Sequence, residues 1–492
     1  MTQTLMLQGT GSDVGKSVLI AGLCRAMTLH GLTVRPFKPQ NMSNNAAVAV
    51  DGGEIGRAQW LQALACKAPP SVHMNPVLIK PESDTGAQLI VQGEVAGTSR
   101  ADDFNRSKPN LMKAVLESFE EVKAGADLVL VEGAGSPAEV NLREGDIANM
   151  GFALPTQTPV VLVGDIDRGG VIASLVGTHA LLPSEERELV QGFIVNKFRG
   201  DMALFDDGYK VIEDRTGWRG YGVVPWLDCC ARLPAEDAVV LDRPAGFGSA
   251  SYVIAVPMLS RIANFDDADP LRNHPEIDLR FIPPGRALPS DADLIILPGT
   301  KATIADLRFL KQQGWGRDVE RHVAAGKPVL GLCGGYQMLG EVVRDPDGVE
   351  GPPDEERGLG LLPLQTVLQA PKTVRSVMAH DVLSDHDVPG YEIHCGQTEQ
   401  TGACDPFLTV DGEAVGACDP ARKIYGAYVH GLFLDDAFRQ EMLGRLGIIV
   451  TNDVSFESTV DAALDDLARN LDWFLDLAAM FGRPLDKQAQ AL

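Results

Sequence analysis

The heptapeptide Gly331-Leu332-Cys333-Gly334-Gly335-Tyr336-Gln337 decides how the chain is read. Pro328 to Leu332 is a short apolar run of strand character, and Tyr336 to Val343 carries apolar residues at helical spacing. Cys333 therefore falls on the turn between a buried strand and a helix, the arrangement of a nucleophile elbow. The flanking glycines let the backbone turn sharply and leave the thiol beside the N–H groups that open the helix. Such a position both lowers a thiol pKa and supplies an oxyanion hole. A cysteine with only a packing role has no need of that glycine pattern, so Cys333 is the candidate nucleophile.

A thiolate nucleophile needs a base. Of nine histidines, two stand in strand-like contexts: His394 in Tyr391-Glu392-Ile393-His394-Cys395-Gly396, and His430 in Tyr425-Gly426-Ala427-Tyr428-Val429-His430-Gly431. His430 ends an apolar strand just before a glycine, where a turn presents it to the edge that carries Cys333, and it is the preferred base. Glu392 and His394 are auxiliary candidates on a neighbouring strand.

The N-terminus holds a second constellation. Leu5 to Gln8 reads as a strand, Gly9-Thr10-Gly11-Ser12-Asp13-Val14-Gly15-Lys16-Ser17 as a glycine loop, and Val18 onward as a helix. In that context backbone N–H groups from Thr10 to Ser17 cradle phosphates, Lys16 reaches the outer ones and the Ser17 hydroxyl is a Mg²⁺ ligand. Asp127 to Val131 is a buried strand delivering Glu132, a second candidate Mg²⁺ ligand, and Asp51 is a third. Thr33 to Phe37 delivers Lys38-Pro39-Gln40-Asn41-Met42-Ser43-Asn44-Asn45, a polar loop at a strand's carboxyl end, where open α/β sheets bind ligands. Lys38, Asn41 and Ser43 are candidate substrate contacts there. Pro159 to Val163 delivers Asp167 and Arg168, candidates for orienting an acceptor, and Gly192 to Val195 delivers Asn196, a candidate reader of a purine edge. Strands alternating with helices predict an α/β fold with a parallel doubly wound sheet. The pattern weakens beyond Pro225 and restarts at Tyr252, so a second α/β sheet carries the Cys333 elbow.

The chain has 492 residues, enough for two or three domains, and a formal net charge of −24 with no basic block to offset it. That balance argues against a nucleic-acid or membrane-surface partner. The eight cysteines show neither a CxxC nor a disulfide-like spacing, and no run of about eighteen apolar residues occurs. A cytoplasmic enzyme without signal peptide or membrane span is expected.

Taken together, the Gly9–Ser17 loop, FKPQNMSNN from Phe37, Glu132-Gly133-Ala134-Gly135, DIDRGG from Asp165 and NKFRGD from Asn196 resemble the cobyric acid synthase family of the cobalamin pathway. LPGTK from Leu297, GLCGGYQMLG from Gly331, YEIHCG and YVHGLF from Tyr428 extend the resemblance over nearly the whole chain. The glycine loop, with Thr10 five residues before Gly15, also resembles dethiobiotin synthetase. The resemblance implies a P-loop dethiobiotin synthetase-like sheet followed by a flavodoxin-like class I glutamine amidotransferase sheet. The expected division is residues 1–230 as ATP-dependent synthetase, 231–250 as linker, 251–440 as amidotransferase and 441–492 as a C-terminal helical extension. The implied activity uses ATP, Mg²⁺ and glutamine to amidate side-chain carboxylates of a corrinoid. Alternatives are the a,c-diamide synthase of the same pathway and a non-catalytic nucleotide switch. Many class I amidotransferases carry a glutamate two residues after the histidine, but here that position is Leu432, so whatever orients His430 must come from elsewhere.

Overall fold

The computed structural model describes residues 2–82, 86–234, 250–451 and 455–485. Its first sheet comprises β1 (Gln3–Gly9), β2 (Val34–Phe37), β3 (Leu128–Glu132), β4 (Val160–Asp165), β5 (Val190–Phe198) and β6 (Arg219–Pro225), all parallel, in the order β6-β5-β4-β1-β3-β2. Val129-Leu130-Val131 and Val160 to Val163 are continuous apolar runs because helices cover both faces of the sheet, and these residues are fully buried. Helix α1 (Lys16–Leu29) begins directly after the glycine loop. A smaller sheet adds the strands Gln40–Met42, Val77–Pro81, Gly86–Val91 and Glu94–Arg100. Helix α2 (Arg57–Ala65) follows the short strand Glu54–Gly56.

The second unit is built on β7 (Tyr252–Pro257), β8 (Ile277–Ile282), β9 (Leu294–Leu297) and β10 (Val329–Leu332), a parallel core ordered β8-β7-β9-β10. Two long antiparallel strands, β11 (Leu364–Asp381) and β12 (His386–Gln400), form a separate sheet beside it. β13 (Gly416–Asp419) and β14 (Ile424–Ala427) extend the parallel core, with β14 parallel to β10 and β13 antiparallel to β14. The two-residue strand β15 (Val429–His430) then pairs with β12.

The C-terminal segment is not an extension. Helix α3 (Gly334–Leu339) follows Cys333, but α4 (Phe456–Phe474) crosses back to the first unit, where Val460, Leu464, Leu467 and Leu471 join the core beneath α1. Gly22 makes this approach possible: a Cβ there would lie 2.5 Å from Leu471 Cδ1 and 2.7 Å from Leu467 Cγ. The fully buried Arg25 of α1 pairs with Asp461 and, at 3.4 Å, with Asp465 of α4. Helical periodicity identified α4 as amphipathic but carried no information about which core its apolar face would meet. The division at 440/441 also cuts through the helix Asp436–Arg445, whose Phe438, Met442 and Leu443 belong to the second unit's core. Most of the expected 231–250 linker, residues 235–249, lies outside the described residues.

Buried polar contacts join the two units. Arg57 Nε of α2 lies 3.0 Å from Asp266 Oδ2, with each side chain only 3% exposed. Asn264 Nδ2 donates to Ala46 O at 2.8 Å and to the Tyr391 hydroxyl at 3.0 Å. Glu54 is shared between Lys80 of its own unit, at 2.7 Å, and Lys372 of the other.

Candidate active site

Cys333 sits between β10 and α3 with φ 50° and ψ −107°, a left-handed conformation rare for a residue with a Cβ. The surroundings enforce it. A Cβ on Gly335 would come within 2.0 Å of Leu297 O, and one on Gly331 within 2.7 Å of Gly335 O, so neither neighbour can bear a side chain without moving the turn. The Cys333 N–H donates to Ala427 O at 2.8 Å and its thiol to Ile393 O at 3.5 Å.

His430 is buried beside this thiol, and both line one cleft between the two units. Its Nδ1 lies 2.6 Å from Asp267 Oδ2, while Asp267 Oδ1 accepts the Gly431 N–H at 2.7 Å. One carboxylate therefore fixes both the ring and the backbone that carries it. Tyr391 stacks against the imidazole with centroids 5.3 Å apart. Burial disfavours the charged ring, but Asp267 and Cys333 outweigh it and hold the imidazole well above its usual range. Asp267 belongs to the short turn Phe265–Ala268 and was not among the residues singled out from sequence. The one available signal was the acidic cluster Asp266-Asp267-Ala268-Asp269.

The auxiliary candidates do other work. Glu392 Oε2 pairs with Arg375 Nε at 2.6 Å, and its Oε1 lies 3.5 Å from His394 Nε2. His394 stacks on Tyr428 at 3.9 Å, with Nδ1 3.0 Å from Gly396 O, so it lines the cleft without holding His430.

At the other site, the loop from Thr10 to Gly15 joins β1 to α1, whose first residues are Lys16 and Ser17. A Cβ on Gly9 would lie 2.8 Å from Lys16 Nζ, and one on Gly15, at φ 95°, would lie 2.4 Å from Asn196 Nδ2. Backbone excludes a side chain at Gly9, where Gly11 O would lie 2.7 Å from it, and φ 95° disfavours one at Gly15, so the loop keeps the bare backbone that phosphate cradles use. Lys16 Nζ lies 3.1 Å from Gly11 O and 3.3 Å from Gly135 O. Glu132 Oε1 accepts from Ser17 Oγ at 2.7 Å and from Lys38 Nζ at 2.8 Å, and Gln62 Nε2 donates to Oε2 at 2.7 Å. Burial alone would raise the Glu132 carboxyl; Lys38 and the Ser17 and Gln62 hydrogen bonds reverse that and hold it below its usual range. Ser17 and Glu132, a hydroxyl and an ionised carboxylate facing each other, are the hard oxygen donors that Mg²⁺ takes.

Four expected site residues turn out to be placed differently. Asp51 accepts from Ser71 Oγ at 2.6 Å and from the Val72 N–H, capping a short helical turn instead of joining Ser17 and Glu132. Asn41 lies in the strand Gln40–Met42, buried, and donates to Gln59 Oε1 at 3.0 Å. Ser43 is buried too, its Oγ accepting the Asn45 N–H at 3.1 Å. The run from Gln40 is thus partly strand, because Gln40, Asn41 and Met42 pair with Val77, Leu78 and Ile79. Asn196 Nδ2 donates to Val14 O at 2.8 Å, so its amide braces the glycine loop in place of reading a base. Asp167 and Arg168 are exposed where β4 ends, on the glycine-loop edge of the sheet, and Asp167 Oδ1 lies 2.7 Å from Arg199 Nε.

Among the described residues no three His, Cys, Asp or Glu side chains cluster as a metal site, and no helix is long and apolar enough to cross a membrane. Residues 5–240 match the CobQ/CobB/MinD/ParA nucleotide binding domain, and residues 253–438 match the CobB/CobQ-like glutamine amidotransferase domain. Cobyric acid synthase of Allorhizobium ampelinum is 59% identical over 97% of this chain and 99% of its own. Those of Brucella suis and Mesorhizobium japonicum are each 57% identical over 98% of this chain and 99% of theirs. With a nucleotide-binding unit and an amidotransferase unit in one chain, and near-complete similarity to such enzymes, the chain belongs to the cobyric acid synthase family.

Proposed function

We propose that the protein is a cytoplasmic enzyme that amidates the b, d, e and g carboxylates of adenosylcobyrinic acid a,c-diamide, using ATP, Mg²⁺ and glutamine. The observation that carries this reading is the Cys333–His430–Asp267 arrangement packed directly against a nucleotide-binding unit. Cys333 attacks the glutamine side-chain amide while His430, oriented through Nδ1 by Asp267, gives a proton to the leaving ammonia. The amides opening α3 stabilise the oxyanion, and water then releases glutamate from the thioester.

Ammonia does not displace hydroxide from a carboxylate unless the oxygen is first made a leaving group. ATP, when bound, would supply the phosphoryl group for that purpose. Lys16 and the loop amides would hold its phosphates, and Ser17 with Glu132 would hold Mg²⁺, which supplies charge neutralisation. Lys38, beside Glu132, places a cation at the same edge. Asp167 and Arg168, exposed on that edge, would orient the acceptor.

The test is mass spectrometry of corrinoid products formed with ATP, Mg²⁺ and nitrogen-15 amide-labelled glutamine. Four labelled amides are expected. With the a,c-diamide left unlabelled, and with two labelled amides appearing at a and c on the unamidated acid instead, the diamide synthase would be favoured; absence of glutamate release would favour a nucleotide switch.

A further inference from the structure

The walls of the cleft that holds Cys333 and His430 come from both units. Away from the thiol it is lined by Lys80, Lys301, Lys372 and Glu350. With Glu350 counted the charges balance, but they are not paired contact for contact. Lys80 and Lys372 share the single carboxylate of Glu54, and Lys301 Nζ pairs with Glu82 at 2.7 Å, so three cations meet two partner carboxylates. Burial, and after it the neighbouring Lys372 and Lys301, bring the Lys80 ammonium down to about 8 despite Glu54. Among the described residues Glu350 has no lysine within ion-pair distance, although Lys301 is near enough to act on its charge. It accepts the Thr303 N–H at 2.5 Å and the Thr303 hydroxyl at 3.3 Å, and burial pushes its carboxyl up to about 7. The cluster thus has room for one anion beside the lysines and one cation beside Glu350, which a zwitterion supplies together.

The charged groups also gather one step along β12 from the thiol. The Cys333 thiol donates to Ile393 O, and Cys395 stands two residues further along β12 on the same face, roughly 6.6 Å away. Lys372, Lys301, Glu350 and Glu54 are the charged groups around Cys395. Lys372 reaches this point because Gln369 to Lys372 of β11 bulge out opposite Cys395, between the pairs Leu368–Gly396 and Thr373–His394. In an extended glutamine the α-carbon lies about 4 Å from the amide carbon.

We propose that this end of the cleft reads the amino-acid head of glutamine: Lys301, with Lys80 contributed by the nucleotide-binding unit, takes the α-carboxylate, and Glu350 takes the α-ammonium. The inference rests on Cys333 attacking the side-chain amide. It makes the glutaminase site incomplete without the other unit, because Lys80 lies outside residues 253–438.

The experiment measures amide hydrolysis by the full chain with three substrates: glutamine, glutaramate, which lacks the α-ammonium, and 4-aminobutanamide, which lacks the α-carboxylate. Loss of either charge is expected to lower kcat/KM by about 100-fold, since a buried charged group is left unpaired. Lys301→Met should bring the kcat/KM for glutamine down toward that for 4-aminobutanamide, and Glu350→Gln should do the same relative to glutaramate. Lys80→Met should raise the KM for glutamine by about tenfold. The wild-type comparison needs no variant, so a substitution that fails to fold does not remove the test. Equal rates on all three amides, or undiminished discrimination by Lys301→Met and Glu350→Gln, would overturn the proposal. If the wild-type chain releases no ammonia even from glutamine, the fault lies instead with the Cys333 reading on which the proposal rests.

Discussion

Asp267 Oδ2 lies 2.6 Å from His430 Nδ1, a contact that spans 163 residues of sequence. Asp267 acts on the reaction through the ring. Asp267→Asn keeps the shape but loses the charge that favours the imidazolium and fixes the tautomer. Glutamine-driven turnover is expected to fall by roughly 10²- to 10⁴-fold, with its pH profile displaced because His430 loses the partner holding its pKa up. Glutamate release followed across pH is the measurement. An unchanged profile would leave Asp267 with only a structural part.

Cys333→Ala and Lys16→Ala separate the two chemistries. Cys333→Ala is expected to abolish amidation from glutamine and to retain it with high ammonium salt. Lys16→Ala should stop product formation from either nitrogen source, since it removes the cation facing the phosphates. Rates with both nitrogen sources, measured for both variants, decide the matter; loss of ammonium-driven activity in Cys333→Ala would contradict separate sites.

Arg57→Met leaves Asp266 buried without its partner. The Asp266 carboxyl is already pushed up by burial even with Arg57 in place. Loss of the guanidinium is expected to cost about 3–5 kcal/mol in denaturant unfolding. Arg57→Met combined with Asp266→Leu should recover most of that loss, because no uncompensated charge remains.

Glu54 gives the interface a pH dependence of known sign. Burial would raise this carboxyl, but Lys372 and Lys80 lower it from 4.5 to about 2. Because the folded value lies below the ordinary one, the stabilisation is complete above about pH 4.5 and is lost as pH falls toward 2. Glu54→Gln should be less stable at neutral pH and lack this share of the acid dependence, as measured by thermal unfolding between those limits.

Gly22→Ala introduces a methyl group 2.5 Å from Leu471 Cδ1. Alanine favours the helix by up to about 1 kcal/mol, but overpacking typically costs about 1–3 kcal/mol, so net destabilisation is expected. Trimming Leu471 to Ala in the same chain should recover only part of the loss, because Leu467 Cγ still lies 2.7 Å from the added methyl group.

What the sequence disclosed depended on whether a short stretch of chain makes its own geometry. Gly9 to Ser17 and Gly331 to Gln337 do: strand, glycine turn and helix are contiguous, so Lys16, Ser17 and Cys333 stand where the pattern puts them. His430 was legible from its place at a strand end. Asp267 was not, because its partner lies on a strand assembled much later in the chain. Asn41, Ser43 and Asp51 look like ligand contacts in a polar loop, yet their side chains hydrogen-bond within the protein. Composition alone cannot tell a polar residue facing a substrate from one facing Gln59. The destination of α4 was hidden for a related reason: an apolar stripe specifies burial, and only tertiary packing selects the surface it buries.

The return of α4 to α1 has a consequence for biosynthesis. As the ribosome releases the chain from its N-terminus, the strands of the first sheet emerge early, but the layer that covers α1 is made last. The amidotransferase unit can therefore finish folding while the face of α1 that carries Gly22 and Arg25 still lacks its cover, so that completion of the two units reverses their order in the chain. A nascent enzyme stalled before residue 456 would consequently present an open apolar seam of the kind that holdase chaperones bind.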